Sequence, residues 1–177
     1  MSQDAHPEAR LADGSLPATA DDVLTALAEL GIEAQTADHP PVFTVEEAKA
    51  LRGTLEGAHT KNLFVRDKKG AMCLVVALED RAVDLKALAP KIGFKRISFG
   101  SADRLMKYLG VIPGAVTPFG VINDHDGAVR VALDQGLKDH EVWNFHPLDN
   151  AKTTTIRRDD MLYFLESVGH VPEWVEL

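Results

Sequence analysis

The sequence predicts one domain of the α/β class, α+β in character, built on a mixed, mostly antiparallel sheet with surrounding helices. Three observations predict it. Apolar runs of strand character come in pairs across charged turns that contain glycine. Capped segments with helical spacing separate these pairs irregularly, without the strict strand–helix alternation of a doubly wound fold. The length, 177 residues, suits one domain with a continuous core and no need of disulfides or a structural metal.

Residues 1–18 lack periodicity, are rich in Ala, Asp and Pro, and read as a disordered acidic tail. The folded domain is expected over residues 19–177. Thr19 or Asp21 opens a helix with Val23, Leu24, Leu27 and Leu30 on one side, closed by Gly31. A short strand and a rigid turn at Pro40–Pro41 follow. Thr44 with Glu47 makes a capping box for a second helix ending near Gly53.

The run from His59 to Val65 and the run from Ala71 to Leu78 flank Arg66, Asp67, Lys68, Lys69 and Gly70, which predicts an antiparallel hairpin. The second strand is apolar almost throughout, so it is expected to be central and covered on both faces. Asp84 caps a helix through Leu85, Leu88 and Ile92. Ser101 caps another, with Leu105, Met106 and Leu109 inward and Gly110 as its stop. Residues 110–120 hold three glycines and two prolines and are expected to form no regular element. A second hairpin is expected to join Val121–Ile122 to Val129–Leu133 across Asn123–Gly127. Val142–Phe145 reads as one more strand, and residues 158–168 as the last helix, with Met161, Leu162, Leu165 and Val168 on one side.

Composition excludes several classes. One cysteine, Cys73, cannot build a disulfide framework, and the polar, acidic N-terminus does not resemble a signal peptide. No stretch is apolar enough to span a membrane, so a cytoplasmic location is expected. The net charge is -8, and half of it sits before residue 23, where five acidic residues face only Arg10. A body of that charge does not bind polyanions indiscriminately; nucleic acid requires a local basic face. Arg66, Lys68 and Lys69 in one turn, and Lys91, Lys95, Arg96, Arg104 and Lys107 around two helices, are either ordinary solvated faces or such a face.

Three features are able to carry chemistry. Lys61–Asn62 heads an apolar strand, where a lysine can aim its ammonium at a phosphate or carbonyl oxygen. The same pattern is also that of a solvated lysine at a strand end. In an extended chain Asn62 faces the other way, unless a bulge brings both to one side. The loop from Gly110 to Gly120 holds its amides in a preset shape, or is a structural crossover. His146, between a strand and Pro147, has a fixed ring that can orient a water, hold a ribose hydroxyl or accept a core hydrogen bond. Asn150 and Thr153–Thr155 lie close by in sequence. No metal-ligand spacing, nucleophile elbow or phosphate-binding loop is present, and Cys73 lies in an apolar strand as a core residue.

Thr60–Lys61–Asn62–Leu63–Phe64, then the eleven residues Gly110–Gly120, then Phe145–His146–Pro147 with its following threonines, resemble in that order the editing domain inserted in bacterial prolyl-tRNA synthetases. They equally resemble its freestanding YbaK/ProX-like relatives. The likeness covers about residues 20–170. It implies hydrolysis of the ester joining an amino acid to the terminal adenosine of a mischarged tRNA, without metal, cofactor or covalent intermediate. The form of the motifs is more similar to the alanyl-tRNA(Pro) deacylases than to the cysteinyl-tRNA(Pro) class. The resemblance implies that Lys61, Asn62 and His146 form the catalytic group. Lys61 would hold the terminal phosphate or ribose, Asn62 would position the aminoacyl group, and His146 would line the pocket or fix the ribose. Thr60, Gly114, Ala115, Val116, Thr117, Pro118 and Phe119 would surround the ester. Arg66, Lys95 and Arg96 are the candidates for contact with the acceptor end. The expected partner is mischarged tRNA, with prolyl-tRNA synthetase or an elongation factor as further partners; neither membrane nor DNA is expected. The alternatives are a cysteinyl-tRNA(Pro) deacylase of the same fold and a non-catalytic module that binds tRNA or a synthetase.

Overall fold

The structure, a computed structural model, describes residues 9–41, 44, 46 and 55–177. The helix expected over residues 44–53 therefore lies outside the described residues, apart from Thr44 and Glu46.

Local signals set most of the elements. Helix α1 (Ala20–Glu29) starts in a reciprocal capping box between Thr19 and Asp22. Strand β1 (Gln35–Asp38) precedes Pro40. Strands β2 (Ala58–Arg66) and β3 (Met72–Leu78) form the expected hairpin. Its turn is held by the Asp67 carboxylate, which accepts the backbone N–H groups of Lys69 and Ala71, both at 2.9 Å. Helix α2 (Leu85–Lys91) is capped by Asp84 and helix α3 (Ala102–Leu109) by Ser101. Gly110 ends α3 with φ +66°, and a Cβ there would lie 2.3 Å from the Asn123 side chain, so only glycine fits. Strand β5 (Val129–Asp134), strand β6 (Val142–Phe145), strand β7 (Lys152–Arg157), helix α4 (Arg158–Ser167) and strand β8 (Glu173–Val175) complete the chain. The two-residue strand β4 (Ser98–Phe99) lies between α2 and α3.

The strand order is β1-β7-β6-β2-β3-β5-β8, with β4 paired to β2. Four of the seven pairings are antiparallel and three are parallel. The sheet is mixed and mostly antiparallel, as the sequence predicts. One face carries Phe64, Leu74, Val76, Val131, Trp143 and Ile156 into the main core, under Phe119, Met161 and Phe164. The other face of β2, β3 and β5 carries Val65, Cys73, Val75 and Ala132 against Leu88 and Ile92 of α2. Strand β3 is thus covered on both faces, which explains its unbroken apolar run.

Several expectations are corrected. Val121–Ile122 is not a strand: Pro118–Asn123 forms a 3₁₀-helix, with Pro118 at its start and the Thr117 hydroxyl accepting the Phe119 N–H at 3.3 Å. This also puts a regular element into the end of the Gly110–Gly120 loop. There is no second hairpin, because β5 runs parallel beside β3 and β8. The Asp124 carboxylate turns the chain into β5 by accepting the N–H groups of Ala128 and Val129 at 3.0 and 2.8 Å. The segment read as a tail makes defined contacts from Leu11 onward: Leu11 is buried, Ala12 donates to the Lys107 carbonyl and Ala18 to Asn123 Oδ1. Among the described residues no helix is long and apolar enough to cross a membrane.

Candidate active site

The site is set by a fork in the sheet. The outer edge of β2 pairs with β6 only at Ala58 and His59, and with β4 only at Val65 and Arg66. The Thr60 hydroxyl closes one side of the opening by donating to the Asn144 carbonyl at 2.9 Å. The Gly100 N–H closes the other by donating to the Phe64 carbonyl at 2.9 Å. Between them, among the described residues, no strand pairs with the edge at Lys61, Asn62 and Leu63.

The β2–β3 register runs without interruption from Thr60↔Leu78 to Arg66↔Met72, so there is no bulge and Lys61 and Asn62 project to opposite faces. Lys61 shares the α2 face with Leu63 and Val65. Asn62 shares the main-core face with Phe64. The Glu79 N–H donates to the His59 carbonyl, which makes the odd-numbered residues of β2 the hydrogen-bonded partners of β3. By the alternation of an antiparallel pair, the backbone N–H and C=O of Asn62 therefore point into the opening. The Asn62 side chain adds an anomaly: its Oδ1 is buried with no hydrogen-bond partner among the described residues. Most buried acceptors are satisfied, so an orphan at a sheet opening points to a missing donor.

His146 directly follows strand β6, two residues beyond the last pair of β6 with β2, His59↔Asn144, and so stands on the β6 side of the opening. The His146 ring is fixed by Nδ1–H donating to the Lys152 carbonyl at 2.7 Å. That leaves Nε2 as a lone pair with no hydrogen bond among the described residues. Burial pushes the His146 pKa below its ordinary value, against the opposing pull of the Lys152 carbonyl, so the ring is held neutral and Nε2 is an acceptor. Asn144 braces the junction: its Nδ2 donates to the carbonyls of Glu56 and Ala58, and its Oδ1 accepts from the Thr155 hydroxyl at 2.6 Å.

The glycine–proline loop divides by burial. Ala115, Thr117, Pro118 and Phe119 are buried, and Phe119 packs edge-on to Phe145 at 5.9 Å and Phe164 at 5.4 Å. Gly114 and Val116 keep accessible surface. The structure places Phe119 in the core beneath β6, with the rim of the loop turned outward. Arg66 sits at the end of β2 opposite Ser98, and Lys95 and Arg96 are exposed just before β4.

Cys73 is fully buried, and burial pushes its thiol up to about 12, so it supplies no thiolate nucleophile. Among the described residues no group of three or more His, Cys, Asp or Glu side chains converges.

The model of the aminoacyl-tRNA editing domain matches residues 39–164. The chain belongs to the aminoacyl-tRNA editing domain family. It is 40% identical over 156 residues to the prolyl-tRNA editing protein ProX of Acetoanaerobium sticklandii, covering 88% of this chain and 95% of that one. It is 38% identical over 151 residues to the prolyl-tRNA synthetase associated domain-containing protein 1 of Bos taurus, covering 82% and 88%. A solved structure described as a candidate trans-editing enzyme for prolyl tRNA synthetase superposes with a TM-score of 0.70 at 19% identity, covering 92% of this chain and 98% of that one.

Two features of this editing domain escape a reading by motif. His39 stands against His146, with ring centroids 6.0 Å apart; its Nδ1 donates to the Pro40 carbonyl and its Nε2 lies 2.7 Å from the Thr153 hydroxyl. The other is Leu148, the one non-glycine among the described residues with positive φ, +66°, two positions after His146. Backbone strain of that kind clusters at functional sites. No local signal marks either residue: His39 reaches His146 because β1, which it follows, pairs with β7.

Proposed function

We propose that this editing-domain protein hydrolyses the ester of a mischarged tRNA in trans, with alanyl-tRNA(Pro) as its substrate. The observation that carries the reading is the orphaned Asn62 acceptor at the sheet opening, with a neutral, oriented His146 just past the end of the strand on its other side. The substrate offers the missing donor: the α-ammonium of the aminoacyl group fits a buried carbonyl oxygen, and a charge-assisted bond there is among the stronger ones.

His146 Nε2 accepts a hydrogen from the ribose hydroxyl or from the attacking water. The backbone N–H of Asn62 stands ready for the oxyanion that forms as water adds to the ester carbonyl. Lys61, on the opposite face, clamps phosphate. An aminoacyl ester is already activated, so positioning and oxyanion stabilisation supply the acceleration without a covalent intermediate. Alanine is favoured over cysteine by the form of the Thr60–Phe64 and Gly110–Gly120 motifs, and a small pocket rejects proline by size. The names of the relatives from Acetoanaerobium sticklandii and Bos taurus support the tie to prolyl-tRNA. The reaction would take place in the cytoplasm, where charged tRNA is held.

Deacylation of alanyl-tRNA(Pro) and cysteinyl-tRNA(Pro) by the purified protein, side by side, tests the reading. Faster release of alanine supports it. Preferential release of cysteine would overturn the specificity, and release of neither would overturn the activity.

A further inference from the structure

The most exposed aromatic ring of the described residues is Phe99, 61% exposed in strand β4. The backbone that carries it is held in place. Ile97 before it packs into the second core cluster. Gly100 after it donates to the Phe64 carbonyl and lies so close to the Phe64 ring that a Cβ would meet it at 2.5 Å. Ser101 then caps α3. Phe99 is thus presented to solvent by a backbone pinned on both sides.

Its surroundings are basic in a protein of net charge -8. Lys95 and Arg96 lie just before Ile97 and the strand, Arg66 stands opposite Ser98, Lys68 and Lys69 form the adjoining turn, and Arg104 lies in the first turn of α3. Among the described residues none of these six cations makes an ion pair. The two carboxylates next in sequence to Arg66 and Arg104 are engaged elsewhere: Asp67 accepts turn amides and Asp103 pairs with Lys107. An exposed ring in a field of uncompensated cations is the arrangement that binds single-stranded nucleic acid, with phosphates on the charges and a base on the ring.

The register adds direction. Phe99 lies opposite Val65 and so shares the face of β2 that carries Lys61, with Leu63 between them. Four residues at about 3.3 Å each separate the two along the strand, about 13 Å. That span is on the order of four stacked nucleotides at about 3.4 Å each. We infer that Phe99 is a stacking platform for a base of the unpaired 3′ end of the RNA, upstream of the terminal nucleotide held at Lys61. The inference rests on the proposed function for the position of the acyl end, but the platform itself is a binding surface and is tested by binding.

The test uses an uncharged acceptor-stem hairpin RNA with its unpaired 3′ end, and the same hairpin trimmed blunt, titrated against the full chain and followed by fluorescence anisotropy. Phe99→Ala should weaken binding of the tailed hairpin about tenfold, within the range of one base–aromatic stack, and leave the blunt hairpin unchanged. Phe99→Trp should restore tailed binding. Unchanged affinity of Phe99→Ala for the tailed hairpin would overturn the inference, as would an equal loss on both hairpins or no binding of either by the parent protein. Tail binding that depends on Phe99, in a protein that hydrolyses no charged tRNA, would sink the deacylase reading and leave the platform standing.

Discussion

Replacing Asn62 by leucine separates a functional residue from a structural one. The Asn62 Oδ1 is buried without a partner among the described residues, and leaving a buried acceptor unmade costs about 1–3 kcal/mol. The residue as a whole is only half-buried, so the lower end, about 1 kcal/mol, applies. Leucine is close to asparagine in shape, has no polar atom to leave unsatisfied, and adds apolar contact on the face of β2 that holds Phe64. For a chain of this length a gain of about 1 kcal/mol raises Tm by about 2–4 °C. Turnover should move the other way. Loss of a hydrogen bond to a charged group costs about 1.5–3 kcal/mol, so kcat/KM for alanyl-tRNA(Pro) should fall at least about tenfold. Calorimetry and single-turnover deacylation at subsaturating enzyme read the two effects on the same samples. A lower Tm would mean that the Asn62 acceptor is already satisfied in the free protein. Undiminished turnover would mean that no substrate donor reaches it. Either result refutes the reasoning.

Three further outcomes follow from the geometry. The proposed role of His146 as a neutral acceptor, its pKa held below the ordinary histidine value by burial, requires kcat/KM to stay level from neutral pH downward until pH falls below about 6.5 and then decline; a pH-rate profile unchanged in His146→Asn would contradict this. The buried pair His170–Asp124, 2.8 Å apart, should give stability a pH window. Burial opposes the charged form of His170, but the Asp124 carboxylate and the Val168 carbonyl outweigh it and raise the pKa. Burial likewise opposes Asp124, yet His170 and the amides of Val129 and Ala128 hold it low. The His170 contribution is therefore full below about pH 6.5 and lost as pH rises through its raised value, while the Asp124 contribution is present above about pH 4 and lost as pH falls through its lowered value. Asp124→Asn should cost about 3 kcal/mol near pH 5.5 in chemical denaturation, less at pH 9; a cost independent of pH would count against the pair. Arg96→Glu should weaken binding of the RNA hairpin and flatten its salt dependence, and an unchanged salt slope would remove Arg96 from the interface.

Legibility in the sequence tracked the range of the forces involved. Helices α1, α2 and α3 were readable because Thr19, Asp84 and Ser101 satisfy amide groups two or three residues away. The β2–β3 hairpin was readable because Asp67 closes a tight turn. Strand β7 was not, since Lys152–Arg157 acquires its strand state from β1 and β6, and its threonines looked like neighbours of His146. Val121–Ile122 shows the same effect: an apolar pair before a turn suggests a strand, but Pro118 and the buried Phe119 commit the segment to a 3₁₀-helix. Within the site, the motifs named Lys61, Asn62 and His146, but nothing local shows that Lys61 and Asn62 face opposite ways. The opening itself arises because β6 and β4 each claim only two residues of one edge of β2. That is a property of the sheet, as is the approach of His39 to His146.

The proposed function makes the β2 edge at Lys61 and Asn62 the place where the aminoacyl ester is opened. Single-turnover deacylation of alanyl-tRNA(Pro) by Lys61→Ala, with folding checked by its unchanged far-UV spectrum and Tm, tests it most directly. The expected result is a loss of at least about tenfold in kcat/KM, the scale of one charge-assisted contact to phosphate. A Lys61→Ala protein that releases alanine at the parent rate would contradict it.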